Sequence, residues 1–143
     1  MLDYLFGKGV SQVIPTDRLD FTFSKRTGKM KSVFLDDELI ATFRSNGSIA
    51  LTIYGAELLI EHPKFRDNCI VVEDEARDFV SEGRSVFAKH VKTCGDRIRP
   101  QADVVILDTD GRVIAVGKAL LSAKMMREFR SGVAVKVRRG IKR

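Results

Sequence analysis

The sequence predicts an α+β chain in two parts, a small sheet covered by one helix (residues 1–67) followed by a compact mixed β-barrel (residues 68–143). Two patterns carry that expectation. Apolar and polar residues alternate in short runs from Arg18 to Ile53, as half-buried antiparallel strands do. From Asn68 onward the pattern restarts as strand, helix, several strands, short helix and strand. A length of 143 residues accommodates two such units but no large catalytic barrel or doubly wound fold.

In the first part, Leu19, Phe21 and Phe23 alternate, and so do Leu39, Ala41 and Phe43. Thr27-Gly28, Asp36-Asp37 and Asn46-Gly47 supply turns between the runs, Asn-Gly being the strongest short hairpin signal. A meander of three or four strands is expected. Ala56, Leu59 and Ile60 then share helical spacing within Tyr54 to His62, and Pro63 stops that helix. In the second part, a strand from Cys69 to Val72 precedes an acidic helix with Ala76, Phe79 and Val80 on its buried face, closed by Gly83. Strands are expected from Val86 to Val91, Val104 to Leu107 and Val113 to Leu121, with Asp110-Gly111 turning between the last two. A short helix from Lys124 to Arg130 would bury Met125, Met126 and Phe129. The last strand alternates Val133, Val135 and Val137 on one face with Ala134, Lys136 and Arg138 on the other.

Hydrophobic residues at 44% and charged residues at 31% are the composition of a globular chain, neither disordered nor membrane-spanning. Apolar runs such as that from Val113 to Val116 are far shorter than the ~20 residues a spanning helix needs. Met1 to Val10 carries Asp3 and no basic start before an apolar stretch, so no secretion signal is read and the cytoplasm is the expected location. Charge is unevenly spread. Residues 67–82 hold six acids against Arg77, whereas residues 111–143 hold ten bases against Glu128 alone. The acids lie mostly in the first turn of the expected helix, where they favour its positive end. The basic block builds a field attractive to a polyanion, so nucleic acid is the expected partner, ahead of an acidic protein or membrane surface.

Four further segments carry a resemblance. SEGRSVFAKHV (81–91), IRPQADVVILD (98–108), DGRVIAVGKALLS (110–122) and GVAVKVRRG (132–140) resemble, in this order and spacing, the PUA domain. Upstream, RTGKMKSVFLDDELIATFRSNGSIALTIYGAELL (26–59) is similar to the small domain preceding PUA in archaeosine tRNA-guanine transglycosylases. The resemblance implies a PUA mixed barrel and an RNA-binding role, tRNA being the implied RNA, in the manner of the C-terminal domains of such an enzyme standing alone. It implies that the loop after the acidic helix and the strand beyond it approach RNA: Gly83, Arg84, Ser85, Val86, Phe87, Ala88 and Lys89. The last strand would form the other wall with Ala134, Lys136, Arg138 and Arg139. In the relatives this surface holds the acceptor stem and its single-stranded end. Where many PUA domains have Pro-Gly before an acidic residue, this chain has Pro100-Gln101-Ala102-Asp103, so that turn is expected to differ, along with the contacts of Arg97 and Arg99.

The residues themselves agree. Glycine admits close approach of an RNA backbone, and Arg and Lys contact phosphates with release of counterions. Phe87, between Val86 and Ala88, is expected to pack in the core rather than stack on a base.

Catalysis, cofactors and metal find no constellation. Asp36, Asp37 and Glu38 sit at an expected hairpin tip open to water and not in a cleft of the kind that catalytic carboxylates occupy. Ser85 lacks the following glycine of a nucleophile elbow, and Gly7 and Gly9 precede no Gly-Lys-Ser. Cys69 and Cys94 read as reduced thiols, and His62 and His90 as structural or solvent-exposed. Three roles remain open: a tRNA-docking subunit for a separate transglycosylase catalytic chain, a translation factor on the ribosome, and a protein-interaction module using its basic face.

Overall fold

A computed structural model describes residues 16–44 and 48–142. The Asn46-Gly47 turn, the apolar residues Leu2, Tyr4, Leu5 and Phe6, the glycines Gly7 and Gly9, and Arg143 lie outside the described residues. After a 3-10 turn at Thr16–Arg18, β1 (Leu19–Phe23), β2 (Met30–Leu35), β3 (Glu38–Phe43) and β4 (Ile49–Leu51) form an antiparallel meander in chain order. Asp36 and Asp37 make the two-residue turn between β2 and β3 with φ of 49° and 71°. That is the doubly left-handed geometry whose twist suits a tight hairpin.

Helix α1 (Ile53–Leu59) begins where the Thr52 hydroxyl accepts from the Gly55 amide at 3.0 Å and donates to the Leu39 carbonyl at 2.7 Å. Gly55 is required by contact. A Cβ there would stand 2.3 Å from the Ile40 carbonyl oxygen, so only glycine lets α1 lie directly on β3. The helix ends before Pro63, which opens a 3-10 segment, Pro63–Asn68, capped by His62 Nδ1 accepting from the Lys64 amide at 3.2 Å.

The second sheet has six strands in the order β6-β10-β9-β8-β5-β7 and curls into a nearly closed mixed barrel. Its members are β5 (Cys69–Val72), β6 (Val86–Phe87), β7 (Val91–Cys94), β8 (Asp103–Leu107), β9 (Val113–Ala119) and β10 (Val133–Gly140). β5 and β8 pair in parallel and the other neighbours are antiparallel. The acidic segment is split into a 3-10 turn, Asp74–Ala76, and a short α2, Arg77–Ser81. The expected strand from Val86 to Val91 is broken after Phe87 by a 3-10 turn, Ala88–His90. α3 (Ala123–Glu128) starts at Ser122, whose hydroxyl accepts from the Met125 amide.

Two apolar cores share one wall. On β8, Val105 and Leu107 face the core built with α1 and the first sheet, while Val104 and Ile106 face the barrel interior. β9 divides likewise, with Val113 and Val116 on one side and Ile114 and Ala115 on the other. Every residue of β8 is buried, which is why it reads as an unbroken apolar run after Asp103.

Several sequence expectations are corrected. Phe21 and Phe23 on β1 are exposed instead of half-buried: β1 is an edge strand, and Leu19 is its residue that packs against the core shared with α1. Phe79 and Phe129 leave the core as well: Val80 takes the inward position on α2, and α3 ends at Glu128, so Phe129 follows in extended backbone instead of sharing the buried face of Met126. In β10 the alternation is interrupted at Ala134 and at Arg138 by register shifts, so Ala134 joins the barrel core and Arg138 parts from the Lys136 face.

Gln101 adopts φ 74° while its amide donates to the Ala119 carbonyl at 2.7 Å. A side chain costs about 1 kcal/mol in that left-handed conformation. Gln101→Gly is therefore expected to raise stability by roughly 1 kcal/mol, read as a higher denaturant midpoint at unchanged slope.

Candidate nucleic-acid interface

α2, the loop after it and the last strand are held together by close backbone approach. A Cβ on Gly140 would lie 2.2 Å from the Ser81 carbonyl, and the Lys142 amide donates to that carbonyl at 2.9 Å. Lys142 also pairs with Asp78 at 3.5 Å. Gly83 turns the chain with φ 100° and donates to the Val80 carbonyl. Beyond it β6 pairs with β10, Val86 opposite Val135 and Phe87 opposite Val133. Continuing that register brings Arg84 and Ser85 alongside the stretch of β10 from which Lys136 emerges.

Gly83, Arg84, Ser85, Lys89 and Lys136 thus come to one edge of the barrel. Val86 and Ala88 turn their side chains into the core and present only main chain outward. Phe87 does the reverse of what its neighbours suggested: with Val86 inward, strand period sends Phe87 outward, and it is 46% exposed. Phe79, 47% exposed, lies under the Arg84 guanidinium at 5.8 Å, a cation–π distance. The His90 ring meets Phe87 edge to face, with 6.3 Å between centroids, and its Nε2 is 3.8 Å from Glu75. Phe79, Val80 and Phe87 line a cleft of about 250 Å³, bordered by Arg84, Lys89 and His90.

Arg138 is placed elsewhere. Its guanidinium donates to both Asp103 carboxylate oxygens, at 2.6 and 3.1 Å, and to the Leu51 carbonyl at 2.6 Å. Asp103, 7% exposed, also accepts from the Leu51 amide at 2.8 Å. Side chains of β8 and β10 thereby grip the main chain of β4. Arg139 is exposed and borders a groove with Leu39, Thr42, Tyr54 and Glu57 at the junction between the first sheet and the barrel. Both thiols are free; burial pushes Cys69 up to about 12, and burial also raises Cys94. Among the described residues no group of three or more His, Cys, Asp or Glu is placed to hold a metal, and no helix is long and apolar enough to cross a membrane.

A nearly closed mixed barrel with a glycine-turned loop against its last strand defines a class. Residues 68–141 match the PUA domain, and the chain belongs to that family. Residues 1–65 match the patch-forming domain C2 of tRNA-guanine transglycosylase. The tRNA-guanine(15) transglycosylase of Methanothermobacter thermautotrophicus is 38% identical over 142 residues, 96% of this chain and 21% of that protein. The chain spans about a fifth of the length of the curated relatives it matches, and corresponds to their C-terminal part. A hypothetical protein of Pyrococcus horikoshii shares the fold at 21% identity and a TM-score of 0.77, covering 99% of this chain and 86% of its own. A chain of the archaeal box H/ACA sRNP Nop10-Cbf5 complex matches at 26% identity and a TM-score of 0.50, over 51% of this chain and 24% of that one.

Asp103 is held above the ordinary carboxylate range by burial, against the pull of Arg138 and the Leu51 amide. The folded chain therefore binds this proton more tightly than the unfolded chain. The stability this gives is fully present below the unfolded pKa and is lost as pH rises through the raised folded value. Arg138→Ala removes a lowering influence and leaves a buried carboxylate unpaired. Denaturant melts are expected to show a loss of about 3 kcal/mol near neutral pH, shrinking to roughly half or less in acid where Asp103 is protonated.

Proposed function

We propose that this chain is an RNA-docking module that holds the acceptor stem and unpaired 3′ end of tRNA for guanine exchange by a tRNA-guanine(15) transglycosylase. The base exchange itself would be carried by residues outside these 143. The observation that carries the reading is the cleft between Phe79 and Phe87. Two exposed aromatic rings, with Arg84 and Lys89 at the rim and a tight glycine turn beside them, suit an unpaired base whose phosphates lie on the cations. Lys136 on the adjoining strand extends the positive wall, and Lys118 faces it across the β9–β10 ladder. The likeness to a chain of an archaeal ribonucleoprotein complex and to the C-terminal part of tRNA-modifying enzymes supports the same reading.

Binding of tRNA, with and without its unpaired 3′ end, tests this at several salt concentrations. Intact tRNA is expected to bind more tightly. Phe87→Ala should weaken intact tRNA by roughly tenfold and leave trimmed tRNA nearly unchanged. An Arg84→Ala, Lys136→Ala pair should weaken intact tRNA more than trimmed tRNA and make the salt dependence of intact tRNA shallower by about 1.4 to 1.8 in log–log slope, the range for two lost contacts to single- or double-stranded phosphates. Binding indifferent to the end and to these residues would overturn the reading in favour of an acidic protein partner. Arg138 is unsuited to this comparison because its loss disturbs the junction itself.

A further inference from the structure

A second concavity adjoins the aromatic cleft. It lies between β7 and α3, has a volume of about 460 Å³, and is lined by Lys89, Lys92, Cys94, Arg127, Phe129 and Arg130 among ten residues, none of them acidic. Arg127 is fixed in its wall by Asp96 at 2.6 Å and the Cys94 carbonyl at 2.8 Å. Lys89, Lys92 and Arg130 have no carboxylate partner among the described residues. Phe129 is 46% exposed here, while its neighbour Met126 is buried beneath it in the barrel core. Lys89, on the 3-10 turn at Ala88–His90, borders both this groove and the aromatic cleft. The two concavities are therefore contiguous across a single cationic crest.

Uncompensated cations beside an exposed aromatic ring, continuous with a base-sized cleft, form the track that suits a single strand: phosphates on the lysines and arginines, a base on the ring. We propose that the β7–α3 groove is a second RNA site, taking unpaired RNA that continues past the base held between Phe79 and Phe87. This rests on the RNA-binding reading of that cleft. The chain should then prefer RNA with an extended unpaired tail over RNA offering one unpaired nucleotide.

The test compares two RNA hairpins, one with a single unpaired 3′ nucleotide and one with an unpaired 3′ tail of about eight nucleotides. A Lys92→Ala, Arg130→Ala pair is expected to weaken the tailed hairpin by roughly tenfold, with its salt slope shallower by about 1.4, and to leave the short hairpin within about twofold of wild type. Phe129→Ala should weaken the tailed hairpin alone, again by roughly tenfold. Without any substitution, the tailed hairpin should slow alkylation of Cys94, which lines the groove, more than the short one does. If the wild type binds both hairpins equally, an Arg84→Ala, Lys136→Ala pair weakens both, and the groove variants weaken neither, the second site is overturned while the first stands. If the wild type binds neither hairpin, the RNA-binding reading falls and this site with it.

Discussion

Everything in this fold depends on β8 and β9 being buried on both faces. A strand in an antiparallel sheet ordinarily keeps one face wet; here Val105 and Leu107 close the core under α1 while Val104 and Ile106 close the barrel. The two apolar clusters are thus built on the same backbone, and the first sheet is packed against the barrel wall. Asp103 stands at the start of β8, where that wall would otherwise leave the end of β4 facing a buried carboxylate. Arg138, lifted out of strand alternation by a register shift, supplies the countercharge and satisfies the Leu51 carbonyl at the same time.

The surface chemistry follows from where the wall is not. β6 is only two residues long and lies at one end of the sheet order, β7 at the other, and the 3-10 turn Ala88–His90 joins them. Interior positions there are taken by Val86 and Ala88, so Phe87 and Lys89 are left outside. The same competition on α2 gives Val80 the core and turns Phe79 outward, and the end of α3 at Glu128 turns Phe129 outward beyond the buried Met126. An edge with three exposed phenylalanines among arginines and lysines is the result.

Much of this was legible in the sequence. Turn chemistry and alternation placed the meander, because each states a local preference that the fold keeps; the order of strands and helices after Asn68 pointed to a mixed barrel, and the four blocks from Ser81 to Gly140 added its likeness to the PUA domain. Asp36-Asp37 shows this well: the residues that favour a tight hairpin adopt its left-handed geometry. What was not legible is the outcome of competition between adjacent apolar residues. Phe79-Val80 and Val86-Phe87 are equivalent to a hydropathy pattern, and only the space left by neighbouring elements decides which enters the core. The role of Arg138 was hidden for a related reason. Its partners, Asp103 and Leu51, are 35 and 87 positions away, and the shift that turns it toward them is a property of strand pairing. The histidines likewise acquire partners, Glu75 and Phe87 for His90 and the Lys64 amide for His62, that no spacing announces.

The junction at Asp103 and Arg138 grips Leu51 only through its amide and carbonyl. Main-chain groups are the same whatever residue occupies the position, so this polar latch places no demand on the Leu51 side chain. A barrel carrying the Asp–Arg pair could be transplanted onto any sheet whose last strand offers a free N–H and C=O at that point, provided the apolar faces match. Such a latch is indifferent to the side chain at the position it holds, so the demand on Leu51 comes from the apolar core in which its side chain is buried.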